Sequence, residues 1–135
     1  EIEKGYKVID IDALDGKVSE IISESDELLI FEGHLAHLCS GADKVIVLRV
    51  HPDVLKPRLE GRDYSDAKIR ENLEAEAMGV CTAEALEIYE DNVFEIDVSD
   101  MTVDEIVGQL VDVLSGEKTF CVGDVDFMDW LISNP

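Results

Sequence analysis

Four arginines, Arg49, Arg58, Arg62 and Arg70, are all that the 135-residue chain contains, and they fall within 22 residues of one another. Lys56 and Lys68 share that window with Asp53, Glu60, Asp63 and Asp66, so its balance is +2 inside a chain of formal net charge -21. A guanidinium is a planar, permanently charged fork that grips phosphate oxygens with two parallel hydrogen bonds, whereas an ammonium serves as a point charge. Arg58 and Arg62 are four apart and would share one helix face. The pattern points to an anionic, phosphorylated ligand. Ion pairing with the neighbouring acids is the plainer use of these residues, and their clustering argues against it for the set as a whole.

A second group is the end of the stretch LLIFEGH, residues 28–34. Four large apolar residues suit a strand of a parallel sheet covered on both faces, and such sheets gather ligands at the carboxyl ends of their strands. Glu32 is suited to hold Mg²⁺, directly or through water, because a hard cation bridging phosphates takes carboxylate oxygens. His34 is suited to orient a water or a phosphoryl oxygen. A hydrogen-bonded structural imidazole is the competing role for His34. A zinc cluster of His34, His37 and Cys39 is disfavoured, since there is neither a second Cys pair nor an HExxH pattern.

The elements that must carry these residues alternate. Val8 to Asp12, VIDID, reads as a short strand or strand edge, followed by a helix over Ala13 to Ser23 with Leu14, Val18, Ile21 and Ile22 at helical spacing. LLIFEG is the next strand, and His34 to Ala42 a short helical or irregular connection. Lys44 to Val50, KVIVLRV, is β-branched and continuous enough to be a central strand that ends on Arg49, on the same sheet edge as Glu32. Pro52 fits the first position of a helix to about Arg62, kinked at Pro57. Ser65 is the expected N-cap of a long helix to about Glu90, disturbed at Gly79. Val93 to Val98 is a strand, and Thr102 caps an amphipathic helix to Leu114. Phe127, Trp130 and Leu131 predict a tail docked on the body. Without repeats or a Ser/Gly-rich linker, this is a single α/β domain with a mainly parallel sheet.

Composition narrows the class. The acidity argues against direct nucleic-acid binding and against anionic membranes, and allows a basic protein partner or a solubilising acidic coat. No apolar run is long enough to span a bilayer, and the first residues lack the layout of a signal peptide, so a cytoplasmic protein is expected. Cys39, Cys81 and Cys121, odd in number, suit buried thiols in a reducing compartment.

The stretch KVIVLRVHPDVLKPRLEGRDYSDAKIRENLEAEA resembles the segment of nucleoside-monophosphate kinases that runs from a central strand through the lid to the following helix. It is especially similar to archaeal adenylate kinases related to the coilin-interacting nuclear ATPase, which assist maturation of the small ribosomal subunit. IFEGH matches their Walker-B-like acidic residue with a histidine two positions later, and the resemblance covers roughly residues 8–132. It implies Mg²⁺-dependent transfer of the terminal phosphoryl group of ATP to AMP, ATPase activity, adenine nucleotides as ligands and a basic small-subunit ribosomal protein as partner.

Residue by residue, Glu32 resembles the Mg²⁺-associated carboxylate and His34 the histidine linked to ATP hydrolysis. Arg58 resembles the arginine that lies against the ATP base, and Arg62 the lid arginine that stabilises the transferring phosphoryl group. Lys68 and Arg70 follow in the lid-to-helix motif, and Asp97 to Asp100 fall where the adenine-contacting loop stands. Asp63 replaces the glycine of the family pattern before Tyr64 and sets a carboxylate beside Arg62. No GxxxxGK[ST] motif occurs, since the only Gly-Lys pair, Gly16-Lys17, precedes Val18. The expectation is therefore a P-loop-kinase-like three-layer α/β fold whose first strand and P-loop are missing from this sequence. Residues 1–135 would form one nucleoside-monophosphate-kinase-like domain, incomplete at its N-terminus, with a lid at about 58–72. The alternatives are a non-catalytic acidic module for a basic ribosomal protein, an inactive piece lacking the ATP cradle, and a phosphate-ligand sensor built on the arginines alone.

Overall fold

The computed structural model describes residues 9–135, together with the backbone of 2–3 and 6–7. The chain divides into two compact units, 1–43 and 44–135.

In the first unit, β1 (Ile2–Glu3) pairs antiparallel with β2 (Tyr6–Lys7) and is followed by α1 (Ile11–Ser23). The strand expected over VIDID is not formed where it is described; Val8 lies outside the described residues. Asp10 instead accepts a hydrogen bond from the Ala13 N–H at 3.1 Å, and this N-cap starts the helix at Ile11. Asp15 on α1 accepts from both the N–H and the hydroxyl of Ser40, at 2.8 and 2.9 Å, tying the helix to the segment after the 3₁₀ turn Ala36–Leu38.

The expected strand LLIFEG is also corrected. Residues 28–33 have no strand partner, and Leu28 and Ile30 are each 74% exposed. An apolar run becomes a strand only where a neighbour takes up its N–H and C=O groups. Among the described residues none does so.

The second unit is built on a two-stranded parallel sheet. In it β3 (Val45–Arg49) runs beside β4 (Val93–Asp97) in a register that sets Val45 against Val93 and Arg49 against Asp97. Parallel strands require a long crossover, which here comprises α2 (Pro52–Glu60), α3 (Asp66–Met78) and α4 (Val80–Tyr89). Pro52 opens α2 where its missing N–H is harmless, and Pro57 lies inside it. Ser65 caps α3 through the Lys68 N–H, as its type predicts. The single long helix expected over 65–90 is two helices, because Gly79 takes a left-handed φ of 67° that only glycine adopts freely.

Helix α5 (Val103–Ser115), capped by Thr102, and α6 (Met128–Ser133) complete the unit. Leu59, Ile69, Leu73 and Ala77 bury against Phe127 and Trp130, so the tail docks on α2 and α3. Ile69, Leu73 and Ala77 are spaced by four and form the stripe that makes this possible; a large apolar side chain buried there contributes about 1.5–3 kcal/mol. Val47, Ala85, Tyr89 and Val93 pack α4 on one side of the sheet, while Ile96, Val98 and Val113 form a third cluster with α5. Among the described residues no helix is long and apolar enough to cross a membrane.

Candidate functional site

The carboxyl edge of the parallel pair places Arg49 opposite Asp97. Beyond it lie the start of α2 and the loop after β4. The loop is ordered by local bonds: Asp97 accepts from the Ser99 N–H at 3.0 Å, and the Ser99 hydroxyl accepts from the His51 N–H at 2.8 Å. Asp97 and Asp100 are both exposed at this edge.

Arg49 is 3% exposed. Its Nε donates to the Glu76 carboxylate at 2.9 Å and its Nη2 to the Glu76 carbonyl at 2.6 Å, while Nη1 donates to Glu95. Glu95 also accepts from the Thr82 hydroxyl at 2.7 Å and the Gly123 N–H at 3.1 Å. The Phe127 ring covers the guanidinium, 5.1 Å from its centroid. Burial alone would weaken the charge on Arg49, but the hydrogen bonds and charges of Glu76 and Glu95 outweigh it and raise its pKa. Burial pushes the Glu76 carboxyl up, against the downward pull of the Val50 N–H and Arg49.

Arg70 is also engaged. It donates to Glu74 at 2.6 Å and to the Asn134 carbonyl, and it stacks over Trp130 at 5.2 Å. Trp130 in turn donates to Asp53 at 2.9 Å. A surface cavity of about 450 Å³ beside this stack brings Arg70 and Lys56 together with Glu60 and Asp66. Two cations facing two carboxylates leave it no net attraction for an anion. Lys68 lies 3.5 Å from Glu71.

Arg58 and Arg62 differ from these. Both are exposed, and among the described residues neither forms an ion pair. Arg58 is in the last turn of α2, where a cation complements the helix dipole. The helix stops at Glu60, short of the expected Arg62, so the shared helix face is not continuous. Arg62 sits in the turn that follows, its N–H bonded to the Leu59 carbonyl at 3.0 Å and its guanidinium 6.0 Å from the Tyr64 ring centroid.

Glu32 and His34 belong to the first unit, where both are exposed in an irregular segment. His37 and Cys39 are buried in that same unit. Among the described residues no three His, Cys, Asp or Glu side chains are grouped as for a metal held wholly by protein. Mg²⁺ asks for less: one or two carboxylates, with water and substrate phosphates completing its octahedron. The exposed carboxylate of Glu32 fits that demand.

The sequence pattern assigned all four arginines to a phosphorylated ligand and did not reveal Glu76, Glu95 and Thr82 as partners of the Arg49 cluster. The strands themselves carry a partial signal. Arg49 is in phase with buried Val47, and Glu95 with buried Val93, whereas Leu48 points out.

Comparison with known proteins fixes the lineage. Residues 1–79 match the AAA domain family. A protein of Methanothermobacter thermautotrophicus described as "Putative adenylate kinase" is 43% identical over 96% of this chain and 73% of its own length. The chain belongs to this adenylate kinase family. Relatives with the same description in Archaeoglobus fulgidus and Methanosarcina barkeri are 36% and 39% identical, over 96% and 90% of this chain and 82% and 70% of their own lengths. The α/β architecture with helices around a parallel sheet is the P-loop-kinase-like fold expected of the family.

Proposed function

We propose that the protein is an adenylate-kinase-type phosphotransferase with ATPase activity, moving the terminal phosphoryl group of ATP to a phosphate oxygen of AMP to give two ADP. The observation that carries this reading is the pair Arg58 and Arg62. In a chain of net charge -21 they are exposed and hold no carboxylate among the described residues, as groups waiting for a ligand's anion would be. Arg62 stabilises the charge of the transferring phosphoryl group, since catalysis of this transfer rests on positioning and electrostatics. Arg58 lies against the base of ATP, and residues 58–72 act as the lid. Lys68 adds a point charge to the nucleotide path. Asp97 and Asp100 flank the base from the loop after β4.

Glu32 is the carboxylate for Mg²⁺, which when bound neutralises phosphate charge, and His34 orients the water of ATP hydrolysis. Arg49 and Arg70, engaged by carboxylates and stacked on aromatic rings, support the fold around the nucleotide rather than grip it. The resemblance to the coilin-interacting branch adds a task in maturation of the small ribosomal subunit, in which the acidic surface engages a basic ribosomal protein in the cytoplasm. The net charge favours that partner class, and the association should weaken steeply as salt rises.

The deciding experiment is conversion of ATP and AMP to ADP by the full-length protein, with Mg²⁺ and with EDTA. Mg²⁺-dependent formation of ADP that Glu32→Gln reduces supports the reading. Absence of transfer with Mg²⁺ present, while the basic partner still binds, would leave the non-catalytic module in its place.

A further inference from the structure

The arginine-bearing segment leaves the sheet at Val50 and returns toward it at the end of α3. One ion pair closes both ends. Arg49, the last residue of β3, and Glu76, in the last turn of α3, are 27 positions apart and joined by two hydrogen bonds, at 2.9 and 2.6 Å. The Val50 N–H adds a third, to the same Glu76 oxygen at 2.9 Å. Between these closures α2 and α3 form a helical hairpin that carries Arg58, Arg62, Lys68 and Arg70, packed internally through Leu59, Ile69 and Leu73.

The base of the hairpin is held from the other side as well. Glu95 takes the remaining arm of Arg49 together with Thr82 of α4 and Gly123 of the tail. Gly79 leaves room for this: a Cβ there would come within 3.3 Å of the Arg49 guanidinium, at a backbone angle that side chains rarely adopt. A buried ion pair adds little net stability over apolar packing, but it is directional, and a forked donor bonded at two points to one residue fixes an angle that apolar contact does not.

From this closure we infer that Arg49 and Glu76 form the positioning pair of the lid, setting where the α2–α3 hairpin presents Arg58 and Arg62. The inference rests on the phosphotransferase reading for its role and on the closure itself for its mechanics. Arg49→Lys keeps the charge and loses the two-armed grip. In the full-length protein it should lower kcat for ADP formation about 10- to 100-fold, while KM for either nucleotide moves about threefold or less, as expected of misplaced rather than missing groups.

Amide hydrogen exchange gives a readout independent of activity. In Arg49→Lys, residues 58–66 should exchange on the order of tenfold faster, with β4 and α5 unchanged. Should Arg49→Lys fail to fold, Glu76→Ala, which removes the side-chain acceptor of both the Arg49 Nε and the Val50 N–H, is read in the same way. Normal kcat in a folded variant, or exchange that is unchanged or uniformly faster, overturns the positioning role. Wild-type protein without transfer activity, but with the local exchange response in the variant, keeps the closure and rejects the functional reading beneath it.

Discussion

Two kinds of arginine share one short window of this chain. Arg49 is enclosed, with each arm of its guanidinium assigned to Glu76 or Glu95 and an aromatic ring on its face. Arg58 and Arg62, nine and thirteen positions later, stand in solvent without a carboxylate among the described residues. The same side chain thus serves opposite ends. Where the partner is internal, the cation organises backbone segments; where none is found among the described residues, it stays exposed, as the proposed role toward a phosphate requires. In a protein this acidic, leaving two guanidinium groups unpaired is the informative feature.

That contrast predicts how substitutions separate. On the proposed role, Arg62→Ala should lower phosphoryl transfer about 10²- to 10³-fold in steady-state assays, with urea unfolding unchanged within about 0.5 kcal/mol, because the exposed Arg62 side chain adds nothing to the core. Arg49→Ala should differ by lowering stability as well as transfer. It leaves Glu95 buried and Glu76 half-buried without their cation, a loss of about 3–5 kcal/mol of stability measurable by the same urea titration. Ser65→Ala removes the cap of α3 and should cost about 1 kcal/mol.

The smallest effect is a pH slope. Burial raises the Glu76 pKa in the folded protein above its unfolded value, with Arg49, the Val50 N–H and Glu95 facing it and the Cys81 thiol nearby. A proton is therefore held more tightly by the folded state. The stability this contributes is complete below the unfolded value and fades as pH rises through the raised folded value. Thermal unfolding of wild type and Glu76→Gln between about pH 4.5 and 7 should show the wild type losing ground to the variant as pH increases. A wild type that gains ground instead contradicts the burial of this carboxyl.

How far the sequence revealed these features depended on whether the deciding interaction was local. Ser65 and Thr102 cap the helices they were expected to cap, because an N-cap bond spans only three residues. Gly79 announced a break, and the backbone makes it a full left-handed stop. The strand Val45–Arg49 was plain from its β-branched run. LLIFEG carried the same apolar signal and forms no strand, since pairing depends on a neighbour that a single stretch cannot specify. VIDID failed for the opposite reason: a local cap at Asp10 decided the outcome against its alternation.

Among the site residues, composition drew attention to the arginine window but not to its division. The fate of Arg49 is fixed by Glu76 and Glu95, 27 and 46 positions away, and such distances are visible only once the strands are in register. Glu32 and His34 were expected at the end of a strand and lie instead in an irregular segment.

The contrast between the two kinds of arginine is tested most directly by measuring ADP formation and urea unfolding together on full-length Arg62→Ala and Arg49→Ala. The account predicts that Arg62→Ala loses transfer and keeps its unfolding midpoint, while Arg49→Ala lowers the midpoint sharply. An Arg62→Ala protein that transfers phosphoryl groups at the wild-type rate, or an Arg49→Ala protein as stable as the wild type, would contradict it.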